Sequence, residues 1–209
     1  MAFVLDHPLA GHRLALLRDR NTAPRQFRAL IGDLAAMLCY EAARTLPLRP
    51  VTVETPVAEA QCRQLAGPAP VVVPILRAGL GMADRVLELL PDADMGHIGL
   101  YRDETTLEPV EYYCKLPADI ADRPVFLVDP MLATGGSAND ALAVLKKHGC
   151  TDIRFMCIIA APEGIQAVAE KNPDVKIYVS TLDRCLNDKC YILPGLGDAG
   201  DRLYGTKQL

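Results

Sequence analysis

Residues 125–137 read VFLVDPMLATGGS, and this stretch decides the fold. Its first four residues are apolar, which predicts a short strand that is buried on both faces. A helical pattern follows over 138–148 and stops at Gly149, so Thr-Gly-Gly-Ser is a turn between a strand and a helix. The turn has neither the Gly-Lys-Ser/Thr ending of a P-loop nor the G-x-G-x-x-G spacing of a dinucleotide-binding fold. It is typical of a cradle for an anion of another kind.

The rest of the chain also alternates between apolar runs of strand length and amphipathic helical patterns. Helices are predicted over 24–45, 82–90 and 163–171. Further strands are predicted over 71–76, 97–101, 110–116, 153–160 and 175–180. This order predicts an α/β fold in which a parallel β-sheet is flanked by helices on both faces.

Two of the predicted strands, 97–101 and 110–116, flank the polar connection RDETTLEP. They predict a β-hairpin arm over about 97–116 with a mobile tip. Residues near 50–66 are polar, and no element is predicted there. Glycine-rich turns follow three of the strands, at RAGLG, ATGGS and AAPEG. Because ligands of such sheets bind beyond the carboxyl ends of the strands, these turns mark the expected binding edge.

The turn over 133–137 has the composition of an anion site. Successive glycines let backbone N–H groups point inward, and Thr134 and Ser137 can each donate a hydroxyl hydrogen bond. Hydrogen bonds to a charged group contribute about 1.5–3 kcal/mol each, whereas a helix dipole contributes roughly 0.3–1 kcal/mol, so the donors dominate. Asp129 opens the turn, where it can face a sugar hydroxyl or a hydrated metal ion. A capped helix start without a ligand remains the alternative for this stretch alone.

The composition excludes several classes of protein. The chain has 209 residues, which makes one domain the default, and its net charge of −4 disfavours a nucleic-acid partner. The N-terminus does not have the pattern of a signal peptide, and no apolar run is long enough to span a membrane. Seven cysteines without a CxxC pair and four scattered histidines favour reduced thiols over a zinc site or disulfides. We therefore expect a cytoplasmic protein.

A phosphate-binding turn with a carboxylate at ribose distance is the pattern of the phosphoribosyltransferases, and VDPMLATGGS resembles the version in uracil phosphoribosyltransferases. Four more segments resemble that family in the same order, and the likeness covers essentially the whole chain. They are VVVPILRAGLGM (71–82), LYRDETTLEPVEYYCKLP (100–117), AAPEGI (160–165) and YILPGLGDAGDRLYGT (191–206). Most phosphoribosyltransferases carry further acidic residues in the turn, where this chain has Pro130 and Ala133. The uracil enzymes share that departure, and it removes an obvious general base from the loop.

The resemblance implies the fold, the domain organisation and the reaction. One phosphoribosyltransferase domain is expected over 1–209, with an N-terminal helical segment over 1–48 and a uracil-binding C-terminal hood over about 185–209. The reaction implied is transfer of the 5-phosphoribosyl group from phosphoribosyl pyrophosphate (PRPP) to N1 of uracil, which gives UMP and pyrophosphate.

Site residues are carried over from the family onto the matching positions. Arg77 and Arg102 are expected to hold the pyrophosphate, and with Asp198 they form the expected catalytic set. The PRPP loop is expected to consist of Asp129, Pro130, Met131, Leu132, Ala133, Thr134, Gly135, Gly136 and Ser137. The resemblance also matches Asp198 to PRPP contact, and it implies Mg²⁺ that reaches the protein through PRPP and water rather than by direct binding.

The glycine-rich tail has a separate expected task. The resemblance assigns uracil binding to Ile192, Gly197, Asp198 and Ala199. Backbone groups fixed against the base edge would be left unpaired by cytosine, which gives strong discrimination. No general base is evident, so orientation and charge stabilisation are expected to supply most of the catalysis.

Several points stay open from the sequence. The Asp129–Pro130 and Leu76–Arg77 bonds are both candidates for the cis form. Homo-oligomers are expected, with GTP as a candidate activator. Two alternatives to the uracil enzyme are a regulator of the same fold that binds RNA or nucleotides, and a transferase of the same fold for another base.

Overall fold

A computed structural model of the chain describes residues 2–102 and 109–206. The strands are β1 (Phe3–Val4), β2 (Leu48–Glu54), β3 (Glu59–Leu65), β4 (Val71–Leu76), β5 (Asp94–Met95), β6 (His97–Arg102), β7 (Pro109–Lys115), β8 (Val125–Val128), β9 (Met131–Leu132), β10 (Ile153–Ala160), β11 (Lys176–Leu182), β12 (Cys185–Leu186) and β13 (Ile192–Leu193). The helices are α1 (Pro8–Arg18), α2 (Pro24–Ala42), α3 (Leu80–Leu89), α4 (Gly136–Lys147), α5 (Pro162–Lys171) and α6 (Ala199–Tyr204), with 3-10 turns at Ala43–Thr45 and Ile120–Asp122.

The central sheet is almost entirely parallel. Within the described part of the chain it has nine strands, whose main order is β1-β11-β10-β8-β4-β6-β7, while β5 pairs with β4 and β9 with β10. β6 and β7 pair in the antiparallel direction, and the other neighbours are parallel. The predicted α/β class and the predicted hairpin are therefore both confirmed. The hairpin tip at 103–108 lies outside the described residues, so its mobility stays a prediction.

Two apolar layers hold the helices against the two faces of the sheet. Phe126 and Val128 of β8 pack with residues of α1, α2, α3 and α6. Val125 and Leu127 of the same strand pack with residues of α4 and α5 on the other face. Successive residues of a strand point to opposite faces, so an all-apolar strand is the pattern that a sheet covered on both sides requires.

Most predicted elements lie where the sequence indicated. The strands at 71–76, 125–128 and 153–160 have the predicted bounds. The helix predicted over 24–45 ends at Ala42 and continues as the 3-10 turn.

The polar stretch near 50–66 forms the antiparallel hairpin of β2 and β3, with Leu48 opposite Leu65 at its base. Almost every residue of this hairpin is exposed, and the alternation of apolar with polar residues is confined to two short stretches, 51–54 and 60–63, which the sequence prediction missed. No helix among the described residues has the length and apolar character needed to cross a membrane.

Candidate active site

The candidate site is a cleft of about 420 Å³ at the carboxyl ends of the strands. Four parts of the fold contribute to it: the end of β4 with the segment after it, the hairpin of β6 and β7, the segment after β8, and the start of α6. The lining residues are Leu76, Arg77, Ala78, Leu100, Tyr101, Tyr112, Asp129, Met131, Asp198, Ala199 and Gly200. A smaller hollow of about 100 Å³ adjoins it and shares Asp129 and Met131.

The smaller hollow is formed by the glycine-rich turn. Its lining runs from Asp129 through Ala138 and leaves out only Pro130. Gly135 has a φ of 82°, in the left-handed region that favours glycine, and α4 begins at the next residue. Thr134 and Ser137 are exposed in the hollow. The structure therefore brings the predicted loop residues together at a helix N-terminus, where the Thr134 hydroxyl oxygen accepts a hydrogen bond of 3.4 Å from the Gly136 N–H.

The Asp129–Pro130 bond is trans, so the prediction of a cis bond there is wrong. Within the described residues the cis bonds are Leu76–Arg77, as predicted, and Leu193–Pro194, which the sequence did not indicate. The chain does not reverse at Pro130. Its carbonyl accepts hydrogen bonds from the N–H groups of Ile158 and Ile159, each at 3.0 Å, and β9 then continues alongside β10 in the parallel direction. Because the chain continues in the same direction through Pro130, no cis bond is needed there.

Asp129 lies at the junction of the two hollows and has an unusual acidity. Its pKa is raised from 3.8 to about 7, mainly by burial and to a smaller extent by the carboxylate of Asp198 across the cleft. The backbone N–H of Met131 donates to the side chain and opposes the rise. A carboxyl group with this pKa changes its charge near neutral pH, so a bound cation or hydroxyl can decide its ionisation state.

The segment after β4 presents Arg77 to the cleft. Its side chain is exposed, while its backbone carbonyl accepts a hydrogen bond of 2.9 Å from the Tyr204 hydroxyl of α6. Two residues later, a Cβ on Gly79 would lie 2.4 Å from the carbonyl oxygen of Val128. The absence of a side chain at Gly79 therefore lets the arginine segment approach the end of β8, which Asp129 directly follows.

The C-terminal segment brings only part of the predicted uracil set to the cleft. Asp198 and Ala199 line it, and the Asp198 carboxylate caps α6 by accepting a hydrogen bond of 2.8 Å from the Asp201 N–H. Ile192 is buried in the core, where β13 pairs with β12. Gly197 precedes Asp198 with a φ of 83° and sets the path of the backbone at this point. The side chain of Arg102 lies outside the described part of the structure.

Sequence reasoning expected Arg102 of the hairpin in the site but missed two of its tyrosines. Tyr101 and Tyr112 both line the cleft, and their ring centroids are 6.2 Å apart. A Cβ on Gly99 would lie 2.6 Å from the ring of Tyr112, so this glycine makes room for the tyrosine. A glycine inside a predicted strand is a signal of close approach, and it could have indicated that the ring packs there.

The fold and the anion turn define the class of protein first. The chain is similar to the hypoxanthine-guanine phosphoribosyltransferase from Bacillus anthracis, with a TM-score of 0.53 over 77% of this chain and 80% of that one. The sequence identity is 14%, so this likeness concerns the fold alone. The fold is that of the phosphoribosyltransferases.

Sequence comparison then identifies the family. The family model described as "Uracil phosphoribosyltransferase" matches residues 4–206. Proteins of that name from Clostridium perfringens and Clostridium botulinum are each 57% identical, over 97% and 96% of both chains respectively. The solved structure of the AQ2163 protein from Aquifex aeolicus is 40% identical, covers 100% of both chains and has a TM-score of 0.92. The chain belongs to the uracil phosphoribosyltransferase family.

Proposed function

We propose that the described cleft is where this chain carries out the reaction of its family. That reaction is transfer of the 5-phosphoribosyl group from PRPP to N1 of uracil, which gives UMP and pyrophosphate. The observation that carries the proposal is that the anion turn, the Arg77 segment and the start of α6 meet around one cleft. The smaller hollow suits a phosphate, and the larger one has room for a ribose, a pyrophosphate and a flat base.

The 5-phosphate of PRPP would bind to residues 134–137. Successive N–H groups at the start of α4 and the hydroxyls of Thr134 and Ser137 supply donors on one side of the hollow. Asp129 lies between this hollow and the larger cleft, so it faces the position of the ribose hydroxyls. This arrangement orients the anomeric carbon toward the larger cleft.

The pyrophosphate would leave toward Arg77, with Arg102 supplied by the hairpin as the resemblance implies. Negative charge builds on the pyrophosphate as its bond to the ribose breaks. A guanidinium stabilises that charge with hydrogen bonds that strengthen in the transition state. The exposed position of Arg77 in a polar part of the cleft is consistent with this role.

Uracil would lie against the backbone of residues 197–199, with Ile192 supporting this segment from the core. The carbonyl and N–H groups of the base need fixed partners, and a backbone with little side-chain bulk can reach the edge of a flat ring. Cytosine presents a donor where uracil presents an acceptor. A fixed N–H would then face another N–H, and such unpaired buried groups give strong discrimination.

Mg²⁺ is expected to accompany PRPP. Asp129 and Asp198 line the same cleft, and carboxylate oxygens are ligands that suit this ion. Among the described residues no group of three or more His, Cys, Asp or Glu side chains is placed to hold a metal. Asp198 would help to hold Mg²⁺ through water, together with PRPP. The ion would neutralise part of the negative charge of the phosphates.

Positioning and charge stabilisation would provide most of the catalysis. The base nitrogen must lie in line with the breaking bond, and such orientation alone can supply several kcal/mol of the barrier, up to roughly 7–11 kcal/mol. Arg77 and the turn donors are fixed before reaction, so little reorganisation accompanies bond breakage. The proposal needs no general base on the PRPP turn.

The direct test is formation of UMP from PRPP with Mg²⁺. Uracil, cytosine, adenine and hypoxanthine are compared, each with and without GTP. Turnover of uracil alone is expected, and faster turnover with GTP would establish the expected activation. Binding of PRPP without turnover of any base would favour a regulator of the same fold, whereas turnover of a purine would favour a transferase for that base.

We also propose that the chain acts as one domain, in homo-oligomers and in the cytoplasm. Leu9, Tyr40 and Leu89 are exposed along an apolar groove, and Val57 at the end of the β2–β3 hairpin is 94% exposed. Such surfaces are commonly covered by a partner. The seven cysteines are free thiols, which suits a reducing compartment. Light scattering after gel filtration measures the oligomeric state.

A further inference from the structure

Two arginines donate hydrogen bonds to the loop between β13 and α6. This loop, residues 194–198, overlaps the segment 197–199 that is proposed to bind uracil. Gly195 and Gly197 both have a positive φ, of 63° and 83°, so the loop follows a path that most residues would strain to adopt. The hydrogen bonds that fix it come largely from parts of the chain remote in sequence.

Arg18, at the end of α1, forms a two-pronged ion pair with Asp183. One Nη1–Oδ2 distance is 2.8 Å and the Nη2–Oδ1 distance is 2.5 Å. The same Nη1 donates to the carbonyl of Gly195 at 2.8 Å, and the Asp183 carboxylate accepts from the N–H of Gly195 at 2.9 Å. The pair therefore binds both polar groups of a single residue of the loop.

Asp183 is itself fixed by the sheet. It follows β11, it is 7% exposed, and its N–H donates to the carbonyl of Ala160 at the end of β10 with a distance of 2.8 Å. Asp183 therefore fixes the position of the Gly195 peptide relative to the sheet edge where Asp129 also lies. A planar guanidinium suits this arrangement because it can hold a carboxylate with two prongs and still donate to a carbonyl.

A second arginine supports the next residue of the loop. Arg202 of α6 donates to the carbonyls of Leu196 and Leu17 at 2.9 and 2.8 Å, and its guanidinium lies 4.3 Å from the centre of the Phe27 ring. This contact fastens the loop and α6 to the end of α1. The loop backbone is accordingly held at two successive residues.

We infer that Arg18 and Asp183 are positioning residues for the base, which set the backbone of residues 195–199 at the distance uracil requires. The inference rests on the proposed function of that segment. Neither side chain is among those that line the described cleft, so both act through the loop rather than on the substrate. PRPP is proposed to bind mainly on the turn over 134–137 and the Arg77 segment, and Asp198 is its one contact from this loop, so a disturbed pair should affect uracil much more than PRPP.

The test uses Arg18→Lys, which keeps the positive charge but loses the planar fork. We expect its KM for uracil to rise about tenfold or more and its preference for uracil over cytosine to fall, since a misplacement near 1 Å can cost about a hundredfold. The KM for PRPP should stay within about twofold. A double variant, Arg18→Met with Asp183→Leu, removes both charges and so leaves no buried charge unpaired. Its KM for uracil should also rise while its KM for PRPP stays nearly unchanged.

Arg123→Lys is the matched control. Arg123 is 7% exposed, pairs with Asp94 at 2.5 Å and donates to the carbonyl of Ala69 at 2.6 Å, away from the cleft. The Arg123→Lys variant should lose about as much stability as Arg18→Lys. The ratio of its KM for uracil to its KM for PRPP should stay at the wild-type value. Wild-type values for uracil in Arg18→Lys, or equal losses for both substrates, would overturn the inference alone. Failure of the wild type to use uracil would overturn the proposed function and this inference with it.

Discussion

Replacement of Gly164 by alanine tests the contact that supports the anion turn. Gly164 lies in the first turn of α5, and a Cβ there would approach the carbonyl oxygens of Ala133 and Leu132 to 2.4 and 2.8 Å. Real Cβ atoms essentially never come closer than 3.0 Å, so the Ala133 carbonyl must move away by at least 0.6 Å. That carbonyl precedes the residues proposed to bind the 5-phosphate.

The expected magnitudes follow from this displacement. Overpacking costs about 1–3 kcal/mol, and the gain in helix propensity from glycine to alanine returns about 1 kcal/mol. The free energy of unfolding should therefore fall by roughly 0–2 kcal/mol. A 1 Å misplacement of a substrate-positioning group can cost about a hundredfold in rate, so kcat/KM for PRPP should fall about tenfold. The KM for uracil should change little.

Urea unfolding and steady-state kinetics at varied PRPP concentration measure both effects. Gly11→Ala is the control, because Gly11 also lies in a helix and a Cβ there would meet nothing within 4 Å. It should gain about 0.5–1 kcal/mol of stability and keep wild-type kinetics. If Gly164→Ala gained as much stability as the control and kept its PRPP kinetics, the reasoning about the turn would be refuted.

Three further substitutions address the charges in the cleft. The raised pKa of Asp129 means that its ionisation opposes folding, so wild-type stability should decline as pH rises from about 4 to about 7. At 1.36 kcal/mol per pKa unit, the free energy of unfolding should fall by at most about 4 kcal/mol, and by less where water in the cleft screens the carboxylate. The Asp129→Asn variant should not show this fall when its urea unfolding is measured across the same pH range. Arg77→Ala should lower kcat/KM for PRPP about tenfold to a hundredfold, the equivalent of one charged hydrogen bond, with unfolding unchanged because the side chain is exposed. Asp198→Asn keeps a good helix cap, so stability should hold while the Mg²⁺ concentration for half-maximal rate rises; an unchanged Mg²⁺ dependence would contradict the role given to this carboxylate.

The sequence was most informative where one residue type dominates a short run. VVVPIL, VFLV and IRFMCIIA are buried except for the half-buried Leu76, and their strands have the predicted bounds. The β2–β3 hairpin is almost entirely exposed, and its short alternating stretches are surrounded by polar residues, so its pattern carried only a weak signal. The trans bond at Pro130 depends on hydrogen bonds from β10, which a single segment cannot reveal.

The sequence indicated which residue types form the candidate site, but it did not indicate the long-range contacts that hold them in place. The glycine-rich turn follows from local backbone requirements, whereas the roles of Arg77 and Asp198 came from resemblance to a family. The pairing of Arg18 with Asp183 joins residues 165 positions apart. Such a contact leaves no periodicity in one sequence, because it depends on where α1 and β11 lie after folding.

A crystal structure of the chain with UMP bound would test the proposed site most directly. The phosphate should lie within hydrogen-bonding distance of the N–H groups of residues 134–137, and the uracil ring should lie against the backbone of residues 197–199. The ribose should then lie beside Asp129. A phosphate bound at another place, or a base that points away from the start of α6, would contradict the proposed site.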